Sequence, residues 1–81
     1  MKYAEHEAKV IKEATKFVAT WYTGRATYGN QEFSTLPDAV TGAEAILKAR
    51  DPSDIANKGR PILIYAIAGV HQVVAKTIFP K

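Results

Sequence analysis

His6 and His71 are the only two histidines in the chain, and there is no cysteine. An imidazole can bind a metal or move a proton near neutral pH, so chemistry of either kind would begin at these positions. His6 stands between Glu5 and Glu7, a spacing that matches no helical metal motif such as His-Glu-x-x-His. His71 follows Gly69-Val70, beside a predicted turn in an apolar stretch, where a surface or hydrogen-bonded structural imidazole is expected. The carboxylates Glu32, Asp38, Glu44, Asp51 and Asp54 are dispersed rather than paired for acid–base work. No Gly-x-Ser-x-Gly elbow is present, so no serine is set up as a nucleophile. The glycines are scattered and form no phosphate-cradling loop. The sequence therefore predicts no catalytic residue, no metal ligand and no cofactor.

Binding chemistry has more to work with. Eleven Lys and Arg against eight Asp and Glu give a formal charge of +3, and Lys48, Arg50, Lys58 and Arg60 bracket one loop region. With Tyr22, Tyr28 or Tyr65 close by, these cations would make a nucleic-acid surface of the kind that combines charge with stacking. A recognition helix, an aromatic RNA-binding motif and a dense Lys/Arg run are all missing. A solvated loop in a mildly basic protein is the simpler expectation. The aromatic residues Phe17 and Trp21 read as core or as an interface. Gly42 is the one locally unfavourable residue of an otherwise well-specified helix. It costs about 0.5–1 kcal/mol relative to Ala there, and close approach of a strand or of a second copy would explain it.

The elements that must position these residues follow from periodicity and capping. A chain of 81 residues makes one domain, 1–81. It buries only about 60–65% of its unfolded surface, so association with another chain would help it. Val10, Ala14, Phe17 and Trp21, flanked by Ile11 and Val18, recur at helical spacing and predict a helix over 3–22, closed by Gly24. Gly29-Asn30 has the composition of a two-residue hairpin turn between short edge strands. The stretch from Phe33 to Arg50 reads as the end of a strand and then a helix ending near Ala49–Asp51, with Thr35 as N-cap, Pro37 in the first turn and Asp38 as a short capping-box partner. Asp51-Pro52-Ser53-Asp54 breaks it, and Asp54 to Lys58 suits a single helical turn. Pro61 to Ala68 is apolar at alternate positions on both sides, as expected of a central strand covered on each face. Gly69 allows a turn into a strand over His71 to Phe79. A helix over Val70 to Ile78 is the alternative, disfavoured by β-branched density. The predicted fold is α+β, a single small domain of order α-β-β-α-β-β with an antiparallel or mixed sheet packed against two helices.

The pairing of Phe33-Ser-Thr35-Leu-Pro-Asp-Ala39 with Arg60-Pro-Ile-Leu-Ile-Tyr-Ala66 resembles a pattern in small, mostly uncharacterised bacterial α+β proteins. In these a Thr-capped helix leads through a loop to a Pro-initiated strand. The resemblance spans roughly half of the chain and implies a fold type without implying an activity.

These observations point to a small non-enzymatic domain that binds another macromolecule, either a protein or a second copy of itself. A nucleic-acid-associated accessory role for the basic patch at residues 48–60 is the alternative. The first residues lack the apolar core of a signal peptide, and the most apolar run, 61–75, is too short to span a bilayer. A cytoplasmic protein without a membrane partner is expected.

Overall fold

The computed structural model describes residues 3–24, 27–49 and 59–80. Helix α1 (Tyr3–Glu13), strands β1 (Lys16–Gly24) and β2 (Thr27–Phe33), helix α2 (Leu36–Ala49) and strands β3 (Ile62–Ala68) and β4 (His71–Ile78) follow in that order. The strands form one antiparallel sheet in the order β2-β1-β3-β4. The α-β-β-α-β-β order is the one the sequence predicts, but two boundaries fall elsewhere.

The first helix ends at Glu13 rather than near Tyr22, and Phe17 and Trp21 belong to β1. A spacing of four is even, so Phe17 and Trp21 share a face in a strand as well as in a helix. The run of Thr, Phe, Val, Trp and Tyr from residue 15 to 22 favours the strand. The Thr15 N–H donates to the Ile67 carbonyl at 3.0 Å, drawing the chain into the sheet two residues after the helix ends. Gly24 correspondingly ends β1 instead of closing a helix.

Gly29-Asn30 is no turn. Both residues lie within β2, where Gly29 pairs with Trp21 and Asn30 with Thr20. A Cβ at Gly29 would come within 2.7 Å of the Trp21 indole, so this glycine makes room for a cross-strand aromatic ring. The predicted helical turn at Asp54 to Lys58 lies outside the described residues.

The α2 start is built as its sequence specifies. The Thr35 hydroxyl accepts from the Asp38 N–H at 3.3 Å, and the Ala39 N–H donates to the Thr35 carbonyl at 3.1 Å. Such a cap contributes about 1 kcal/mol. Ala39 and Ala43 then lie fully buried against the sheet, small enough to let the helix sit close to it.

β3 is the central strand, pairing with β1 on one side and β4 on the other. Its Ile62, Ile64 and Ala66 are fully buried. They share a face with Phe17 and Ala19 of β1, the registered partners of Ala66 and Ile64. Val73 and Ile78 of β4 join them, although five residues separate the two and a regular strand would place them on opposite faces. A bulge in the β3–β4 ladder, where Ile64 pairs with Lys76 and Tyr65 with Val74, inserts the extra residue Ala75 and resets the alternation. Both helices pack on this one face. Val10 of α1 and Ala39 and Ala43 of α2 complete the core. The expectation that β3 is covered on both sides is thereby corrected: among the described residues, the helices cover one face of the sheet only. A hairpin closes the C-terminal half, with Gly69 at φ 62° in the turn between β3 and β4.

Candidate functional site: the open face of the sheet

Period-2 alternation delivers to the second face every residue that the core does not take. β1 contributes Val18, Thr20 and Tyr22, and β3 contributes Leu63, Tyr65 and Ile67, all half-buried. Val74 of β4 is 38% exposed, and Tyr28 of β2 is 65% exposed. Tyr65 stands near the middle, with Val18 registered across one ladder and Val74 across the other. A patch of this extent on a sheet is the usual mark of an interaction surface.

Charged side chains stand at the margins of this face, and the uncharged polar residues Thr20, Asn30, Gln72 and Thr77 belong to it by register. At one corner the Lys16 ammonium lies 3.4 Å from the Glu32 carboxylate. Both side chains are well exposed, so the pair contributes little to stability. At the opposite end of β1, the Arg60 guanidinium lies 4.3 Å from the centroid of the Tyr22 ring. That ring meets Tyr28 edge-to-face at 5.5 Å. The three residues form a continuous cation–aromatic–aromatic row, a geometry favoured by the ring quadrupole.

Depressions also lie elsewhere among the described residues. A cleft of about 350 Å³ separates Glu44, Leu47 and Lys48 near the end of α2 from Ile78, Phe79 and Pro80. Phe79 is 68% exposed. A shallower one of about 400 Å³ between the sheet corner and the start of α2 is lined by Lys16, Glu32, Ser34 and Asp38 with Thr15 and Phe33. Neither is lined by a histidine among the described residues.

The predicted site residues are distributed as follows. Of the four cations in the basic patch, Arg50 and Lys58 lie outside the described residues. Lys48 borders the α2 cleft, and Arg60 sits on Tyr22, so these two engage different surfaces. Phe17 is buried to 7% in the core, and the Trp21 indole lies over Gly29. Both point from β1 toward the helices, which removes them from any surface on helix α1. Gly42 packs against the ring of Phe33, the last residue of β2.

Two features escape the sequence reading. One is the open face itself, since a strand apolar on both sides does not reveal whether its second cover is its own chain. The other is a contact between His6 and His71, whose rings lie 5.6 Å apart. These residues come from opposite ends of the chain, and only the placement of α1 beside β4 brings them together. Searches with family models, curated proteins and solved structures returned no match to this chain. No helix among the described residues is long and apolar enough to cross a membrane.

Proposed function

We propose that this protein is a non-enzymatic interaction module, working in the cytoplasm through the open face of its sheet, and that the occupant of that face is a second copy of the chain. The observation that carries this reading is an apolar sheet face, centred on Tyr65, that no described helix covers. Its charge pattern favours self-association. Among the described residues, the formal charges on the strands of that face are Lys16 and Glu32, which neutralise each other at one corner, and Arg60 lies over Tyr22 at the opposite end. Two copies related by a two-fold axis that keeps their Arg60 corners apart therefore meet without like-charge repulsion. Sheets stack face to face at about 10 Å with interdigitated side chains, and the half-buried aliphatic side chains here suit that packing. Four strands spaced about 4.8 Å apart give a footprint near the smaller end of specific interfaces.

Sedimentation equilibrium tests this. The wild-type chain should show a concentration-dependent monomer–dimer equilibrium, and Tyr65→Lys should remain monomeric with an unchanged far-UV circular dichroism spectrum. A wild-type chain that stays monomeric at millimolar concentration would overturn the reading.

The row of Arg60, Tyr22 and Tyr28 favours a second reading, a nucleic-acid-associated role in which bases stack on the exposed tyrosine beside a cation. Base–aromatic stacking contributes about 1–3 kcal/mol per base. Fluorescence anisotropy with a labelled single-stranded oligonucleotide should then show salt-dependent binding that weakens roughly tenfold or more in Tyr28→Ala and Arg60→Glu. Equal binding by all three proteins would rule this role out.

A further inference from the structure

We propose that His6 and His71 form a two-histidine site for a divalent transition-metal ion such as Zn²⁺, joining helix α1 to strand β4. This site is separate from the open face, because His71 belongs to the helix-facing side of the sheet. It pairs with Ala68 two positions from Val73, which is buried among the core residues. His6 lies one helical turn before Val10, which is 3% exposed and anchors α1 on the core. Residues i and i+4 share a helix face, so His6 is directed toward the sheet. It is half-buried while His71 is exposed. Both imidazoles are thus carried by regular elements packed on one another, which limits the freedom lost on binding an ion.

The ring separation lies within reach of a shared ion. The centroids are 5.6 Å apart and the planes are inclined at 83°. With a Zn–N distance of about 2.0–2.1 Å, an ion in the plane of each ring sits roughly 3.2 Å from each centroid, and a tetrahedral angle at the metal separates the centroids by about 5.2 Å. The rings meet edge to face, so rotation of the exposed His71 side chain is what brings one nitrogen of each ring onto a common ion.

The chemical class follows from the donor set. Neutral imidazole nitrogens suit Zn²⁺, Cu²⁺ and Ni²⁺, whereas Mg²⁺ and Ca²⁺ require oxygen donors. No cluster of three or more His, Cys, Asp or Glu that could hold a metal exists among the described residues. Two protein ligands leave coordination positions for water or an external donor. Such an ion is exchangeable, in contrast to a four-ligand structural zinc.

The consequence for the fold is specific. α1 has 11 residues, too few for a stable helix on its own. An ion bound only when α1 lies on β4 stabilises that docking by mass action.

The experiment uses ZnCl₂ with the whole chain, followed by calorimetric titration and thermal melts of the wild type, His6→Ala and His71→Ala. One ion per chain should bind the wild type. Each single variant should bind roughly tenfold more weakly or worse, and the zinc-dependent rise in melting temperature should vanish in both. MgCl₂ should produce neither effect. Should a variant fail to fold, the ring-proton NMR signals of the wild-type chain decide the matter, because those of both histidines should shift together up to one equivalent of zinc. Wild-type affinity in either folded variant, no zinc binding, or a shift confined to one histidine would overturn the proposal.

Discussion

Replacing Ile64 with Ala should destabilise the protein by about 3–5 kcal/mol, a cost typical of a large aliphatic removed from a packed core. Ile64 is fully buried in the central strand, paired with Ala19 on one side and with Lys76 at the bulge on the other. Alanine at residues 19, 39, 43 and 66 lines the same core. These side chains have no length with which to close the resulting gap. A chain of this size has only about 5–15 kcal/mol of total stability, so the variant should be partly unfolded at 37 °C. Leu63, the adjacent residue, points to the other face and is half-buried. Leu63→Ala should cost only about 1 kcal/mol in the monomer. Urea unfolding of the two variants at low protein concentration measures the difference directly. Equal losses would mean that both faces are equally packed within one chain, and the case for an open face would fall.

Gly42→Ala should destabilise by about 1–2 kcal/mol, although the same change in an exposed helix interior ordinarily stabilises by about 0.5–1 kcal/mol. A Cβ at this position would meet the Phe33 ring, with one ring carbon at 2.7 Å and another at 3.2 Å. The ring would have to swing away from α2 and give up part of its packing, and overpacking of this kind costs about 1–3 kcal/mol. A double-mutant cycle isolates the contact. In a Phe33→Ala background the obstruction is gone, and Gly42→Ala should then become stabilising. This inversion of sign, read from denaturation midpoints, distinguishes close packing from any general effect of glycine in the helix. If Gly42→Ala stabilises both backgrounds, the Phe33 contact has no energetic weight.

The parts of the fold legible in the sequence are those specified by local chemistry. Thr35, Pro37 and Asp38 mark the start of α2 because capping involves groups only a few residues apart. The alternation from Ile62 to Ala68 marks β3 because both of its faces are apolar. The boundary of α1 was not legible: Phe17 and Trp21 satisfy helical and strand periodicity equally, and the decision came from pairing with β3, a contact between distant segments. Gly29 misleads for a related reason. Its role is to admit the indole of Trp21, and no neighbour in sequence signals that. The candidate sites are long-range by nature. The open face depends on where the helices are not, and the meeting of His6 with His71 depends on where α1 docks.

The bulge at Ala75 has a consequence beyond the parity of β4. This strand forms an outer boundary of the sheet, and a straight, regular outer strand is a template on which further chains can add end over end. The irregularity bends the template, and the exposed Lys76 beside it places a charge where an incoming strand would have to lie flat. Growth by strand addition is open-ended, whereas the stacking of two faces is complete at two copies. A single inserted residue thus makes this edge of the sheet a poorer template for strand addition.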